Sequence, residues 1–144
     1  MRLQVAVRLA LCLVLFPLTT AETTFVGPVR AQVLRVLDGD TFDASARIWL
    51  GQAIEVRVRI MGIDAPELHA RCEAERGRAE AARDFLVRRI EGGEVTLSSV
   101  RYDKYGGRLD AVVADANGDI ARALLKARLV RPYDGGRRAG WCES

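Results

Sequence analysis

Between Gln52 and Met61, Ile54, Val56, Val58 and Ile60 alternate with Glu55, Arg57 and Arg59. A period of two makes this a strand with one aliphatic and one charged face, and such a strand needs a sheet enclosing a core. Two similar stretches precede it: Val29 to Leu37, ending at the Asp38-Gly39 turn, and Thr41 to Leu50, closed by Gly51-Gln52. Val95 to Val100 and Leu109 to Ala114 read as two more strands, joined through Tyr105-Gly106-Gly107. Glu73 to Glu91 repeats Ala79, Ala82, Phe85, Leu86 and Ile90 at helical spacing and stops at Gly92-Gly93. Asp119 is placed to cap a second helix from Ile120 to Arg128, with Ile120, Leu124 and Ala127 turned inward. Three strands, a helix, two strands and a helix suit a small β-barrel with helices packed outside, an α+β arrangement.

The first 21 residues are set apart from this pattern. Arg2 and Arg8 lie in a charged start, Leu9 to Leu18 is apolar, and Thr19-Thr20-Ala21 is a small-residue stop. That is the layout of a secretory signal peptide, and the apolar run is short for a membrane span. The expectation is an exported protein, periplasmic or secreted, cleaved after Ala21; the alternative is a leader retained as a membrane anchor. Residues 22–28 then form a linker and residues 29–144 one domain.

The whole chain holds 22 Lys+Arg and 19 Asp+Glu. Without Arg2 and Arg8 the balance is 20 against 19, too even for a polybasic nucleic-acid binder. The exception is the end of the chain, where Arg122, Lys126, Arg128, Arg131, Arg137 and Arg138 face only Asp134 and Glu143. A strip of this kind either guides a polyanion or is a solvated face. Of three cysteines, Cys12 belongs to the leader, which leaves Cys72 and Cys142 as an expected disulfide in an exported chain. A loop of that size gives an upper stabilisation of about 4 kcal/mol. A zinc site is excluded by ligand count, since His69 is the only histidine. The same lone histidine has no evident nucleophile to pair with.

Three acids and two arginines then stand out: Asp40 in Asp38-Gly39-Asp40-Thr41, Asp64 and Glu67 in Ile63-Asp64-Ala65-Pro66-Glu67, Arg59 on the alternating strand and Arg108 after Gly106-Gly107. Hard oxygen ligands collect a cation such as Ca2+, and arginine forks clamp a phosphate. If these side chains converge, the site is built to cut a phosphodiester.

These motifs, in this order and spacing, resemble the staphylococcal nuclease (thermonuclease-like) family over Val33 to Tyr133. The resemblance implies a five-stranded oligonucleotide-binding (OB-fold) barrel. It implies that Asp40, Asp64 and the main-chain carbonyl of Ala65 hold Ca2+, and that Glu67 orients or deprotonates the attacking water. It further implies that Arg59 and Arg108 stabilise charge on the attacked phosphate, and that Lys104 and Tyr105 contact a neighbouring phosphate. Tyr133 falls near the position where the family places an aromatic beside the base; the alternative is packing of the tail, which applies to Trp141 as well. The sequence departs from the family at Tyr105-Gly106-Gly107-Arg108, where the family commonly has a single glycine before the arginine. Either Gly107 takes the arginine's position or one glycine is inserted and Arg108 fills the role, and the resumed spacing after Arg108 favours insertion.

The implied activity is a Ca2+-dependent endonuclease acting on DNA and RNA with little sequence preference, leaving 3′-phosphate ends. A monomer without a stable protein partner is expected. Two other readings use the same chain: a non-catalytic barrel that binds nucleic acid or protein, and an envelope scaffold tied by its disulfide. Retention of both arginines, both aspartates and the glutamate favours the enzyme.

Overall fold

The computed structural model describes residues 23–104 and 106–142. The chain runs β1 (Val29–Val36), β2 (Thr41–Trp49), β3 (Gln52–Ile60), β4 (Ile63–Asp64), α1 (Glu73–Ile90), β5 (Glu94–Tyr102), β6 (Leu109–Asp115), β7 (Gly118–Asp119), α2 (Ile120–Lys126) and β8 (Arg131–Pro132). The main sheet has the order β3-β2-β1-β5-β6-β7, and β3 also pairs with β6, so β1, β2, β3, β5 and β6 close a barrel. The closing contact is parallel and sets Val58 beside Leu109, Arg59 beside Asp110 and Ile60 beside Ala111. With two helices outside, this is the OB-type α+β architecture expected from the element order.

The core explains the order of elements. Val33, Phe42, Ala44, Val58, Ile60, Val95, Leu97, Ala111 and Val113 fill the barrel, and Leu86 and Ile90 of α1 with Ile120 and Leu124 of α2 join the same buried cluster. Inward positions alternate along β1, β2 and β5, as half-buried strands require. Asp119 caps α2 by accepting from the Arg122 N–H at 2.7 Å. The end of α1 docks on β1: Glu91 accepts from the Val36 N–H at 2.9 Å, and Gly92 and Gly93 exchange main-chain bonds with Val33.

Four details differ from the sequence reading. Ile54 is 47% exposed, because the β2–β3 hairpin projects past the barrel and leaves Trp49 and Leu50 72% and 88% exposed at its tip. α2 ends at Lys126; Arg128 takes φ +58°, which leaves Ala127 exposed and brings Val130 inward instead. Within the expected linker, Phe25 exchanges main-chain hydrogen bonds with Val100 of β5, so this stretch extends the sheet. The dipeptide strands β4 and β8, which pair Ile63 with Pro132 and Asp64 with Arg131, carry no periodic signal. The leader, 1–21, lies outside the described residues. Among the described residues no helix is long and apolar enough to cross a membrane.

Candidate active site

Asp40 and Asp64 stand at two strand junctions on the same end of the barrel. The Asp40 turn is fixed locally: Asp38 Oδ1 accepts the Asp40 N–H at 3.0 Å, and the Asp40 carbonyl accepts from the Ile60 N–H at 2.8 Å. Gly39 is required by close approach, since a Cβ there would lie 2.8 Å from the Ala82 Cβ and 3.0 Å from the Ala65 Cβ. The bare turn can therefore lie flat between α1 and the Asp64–Glu67 segment. Asp40 is buried and accepts from the Thr41 hydroxyl at 2.8 Å and, through Oδ2, from Arg59 Nη2 and the Ala65 N–H, both at 3.4 Å. Burial, then the neighbouring Asp38 charge, push its carboxyl above the ordinary 3.8, against the pull of Arg59.

Arg59 is only 7% exposed, although the strand alternation alone puts it on the same face as the exposed Arg57. The difference arises because the chain after β3 folds over that end of the strand. Arg59 Nη2 donates to the Ile63 carbonyl at 3.1 Å, and the Tyr133 ring lies 5.5 Å from its Cζ. Arg57 instead joins Arg35 in pairing with Asp43 on the outer wall. Arg59 Nε is buried without a hydrogen-bond partner, as is Asp110 Oδ1 on the neighbouring strand. Burial, followed by the Asp103 charge, raises the Asp110 carboxyl above its ordinary value.

Arg108 enters the same cleft as Arg59. Gly106 and Gly107 both take positive φ, +72° and +75°, conformations that side chains disfavour. The turn closes with the Asp103 N–H on the Arg108 carbonyl at 3.1 Å, and the guanidinium folds back to pair with Asp103. The doubled glycine thus forms the turn that precedes Arg108, which lines the cleft. The cleft is about 630 Å3 and is lined by Arg59, Arg101, Lys104, Arg108, Asp110, Tyr133 and Arg138. Tyr105 lies outside the described residues.

Glu67 is largely exposed, and its main-chain N–H donates to the buried Glu75 of α1 at 3.1 Å. Its side chain accepts from Arg138 Nη1 at 2.8 Å. Asp64 is buried as well; Trp141 Nε1 donates to its Oδ2 at 3.2 Å. Arg138 Nε sits 3.0 Å from Asp64 Oδ1, an ion pair without the alignment of a hydrogen bond, so that oxygen has no directed donor. Cys72 and Cys142 form the disulfide expected from the sequence, which brings the tail to the start of α1.

A family model described as staphylococcal nuclease homologue matches residues 57–137, more than half of the chain. The chain belongs to the staphylococcal nuclease family. No curated protein matches it in sequence.

In this nuclease-family barrel, the candidate residues Asp40, Arg59, Asp64, Ala65 and Glu67 gather at one end, with Arg108, Lys104 and Tyr133 around the adjoining cleft. By sequence Arg131 and Arg138 are parts of a basic strip and Trp141 has no site role. In the structure Arg138 meets Asp64 and Glu67, and Arg131 stacks on Trp141 with its Cζ 3.7 Å from the ring centroid. The strip is thereby divided, with Arg122, Lys126, Arg128 and Arg137 left exposed to solvent.

Proposed function

We propose that this chain is an exported, Ca2+-dependent nuclease that hydrolyses DNA and RNA with little sequence preference and leaves 3′-phosphate ends. One observation carries the reading: Asp40, Asp64 and Glu67 are paired to arginines that line one cleft, and one of these, Arg59, keeps a buried Nε without a hydrogen-bond partner. Buried polar atoms are ordinarily satisfied, so a bare guanidinium donor together with clustered carboxylates fits a ligand pair of opposite charges. A phosphate oxygen suits the first and a hard cation suits the second.

The donor set fits Ca2+: Asp40, Asp64 and the Ala65 carbonyl offer hard oxygens, with Arg138 the present partner of Asp64 Oδ1. Bound there, Ca2+ supplies positive charge to the phosphate oxygens as negative charge builds on them. The remaining work falls to the chain's own groups. Arg59 and Arg108 hold the non-bridging oxygens of the attacked phosphate as forks, which a lysine does not reproduce. Glu67 accepts a proton from the attacking water while the new P–O bond forms and the bond to the 5′ oxygen breaks. A proton then returns to that oxygen, leaving a 5′-hydroxyl and a 3′-phosphate. Lys104 and Tyr105 hold the next phosphate, and Tyr133 offers a ring to the base, which tolerates any sequence.

This reading takes residues 1–21 as a signal peptide, residues 29–144 as the working domain and the mature protein as a monomer whose partners are its nucleic-acid substrates. The test is cleavage of plasmid and single-stranded substrates by the protein beginning at Glu22, with Ca2+ or with chelator, followed by mapping of the product ends. Cutting that requires Ca2+ and yields 3′-phosphates is the expected result. Nucleic acid bound but uncut in Ca2+ overturns it in favour of a binding module.

A further inference from the structure

The tail returns to the acids by a defined route. β8 pairs with β4 so that Arg131 lies opposite Asp64, and the Tyr133 N–H donates to the Gly62 carbonyl at 3.0 Å. The chain then turns, Arg131 Nη1 donates to the Gly140 carbonyl at 2.8 Å, and Cys142 is fastened to Cys72. Inside this loop Arg138 reaches Asp64 at 3.0 Å and Glu67 at 2.8 Å, while Trp141 occupies the other oxygen of Asp64. Both oxygens of Asp64 and one of Glu67 therefore face groups supplied by one short terminal segment.

We propose that Arg138, held by the disulfide-tied tail, is the resident counter-ion of Asp64 and Glu67, and that it competes with the divalent cation so that the tail sets the site's cation affinity. The inference rests on the reading of Asp40 and Asp64 as cation ligands. A buried carboxylate needs a compensating charge, and Arg138 provides it from inside the chain. Burial pulls the Arg138 pKa down, but Asp64, Asp40 and Glu67 together hold it above the usual guanidinium value. A divalent ion at Asp64 then meets a like charge in direct contact with the same carboxylate, in a setting that screens poorly. Displacing Arg138 also uncovers Glu67, so cation entry and release of the water-activating carboxylate become one event. Arg138 is a positioning residue in this scheme, acting through the acids it covers.

The tether decides how readily this happens. With Cys142 joined to Cys72, the Trp141 ring stays under Arg131 and the path of Arg138 is confined. With the bond reduced, the terminal residues are free to leave and the carboxylates lose their internal partner more often.

The experiment is calorimetric titration of Ca2+ into the mature protein in three forms: wild type, Arg138→Gln and Arg138→Lys, with thermal unfolding of each to confirm that it is folded. The glutamine variant is expected to bind at least about tenfold tighter than wild type, and the lysine variant, which keeps the charge, to stay near wild type. Reduced wild type is expected to move toward the glutamine variant. Equal affinities of wild type and Arg138→Gln, with Ca2+ bound by both, overturn the counter-ion while leaving the cation site intact. Lysine behaving as glutamine overturns the charge argument, and a reduced protein that binds no tighter overturns the tether. Absence of Ca2+ binding in every form overturns the proposal together with the cation reading beneath it.

Discussion

Arg59 is the residue at which barrel and site meet. Its backbone is paired with Thr41 on one side and Asp110 on the other, so barrel closure itself fixes where the guanidinium leaves the sheet. The side chain spends one nitrogen on Asp40 and the Ile63 carbonyl and keeps Nε bare. Replacing Arg59 with lysine keeps the charge but loses the fork, and kcat/KM should fall by about 10²-fold, as for removal of one donor to a developing charge. Gly39 acts by what it lacks. Gly39→Ala drives a Cβ into Ala82 and Ala65, so the Asp40 turn must lift; urea unfolding should show a loss of about 1–3 kcal/mol, with weakened Ca2+ binding.

At the scale of elements, α1 is held to the barrel by the Arg89–Asp115 fork, at 2.6 and 3.0 Å, from the last turn of the helix to the end of β6. The hydrogen bonds from Arg89 hold Asp115 below the ordinary 3.8. A depressed folded-state pKa means stability that is present above the unfolded value and lost as pH falls through the folded one. Asp115→Asn should therefore cost about 1–2 kcal/mol at neutral pH, and the gap to wild type should close in unfolding measurements made below the ordinary carboxylate range. Elements also show what was legible in the sequence. The five barrel strands and α1 could be placed because each runs for seven residues or more, long enough for its apolar residues to show a strand or helix spacing. Arg59 could be named but not placed, since alternation gives a face and not what covers it. Its cover comes from β4, β8 and Tyr133, where two-residue pairings have no period to read. Arg138 and Trp141 escaped for a related reason: they meet Glu67 and Asp64 across 71 and 77 residues of chain, and a run of basic residues reads as a solvated strip. The one available signal was Cys142, because a Cys72–Cys142 bridge must carry its neighbours toward the Asp64–Glu67 segment.

On the scale of the whole molecule, that bridge closes a ring of 70 residues holding α1, β5, β6 and α2. Cys72→Ser with Cys142→Ser should lower stability by up to about 4 kcal/mol in denaturant unfolding, the chain-entropy figure for such a ring. The barrel, the cleft and the tail bring arginines and acids to one end of the molecule, and in the proposed function the arginines hold the phosphate and the acids a cation. The claim at its centre is that Glu67 does chemistry and does not merely pair with Arg138. The measurement that tests this most directly is the single-turnover cleavage rate of Glu67→Gln against wild type in saturating Ca2+, with single-strand affinity measured alongside. A rate lower by about 10² to 10⁴-fold at unchanged affinity is the expected result. A glutamine variant that cuts as fast as wild type would contradict the account.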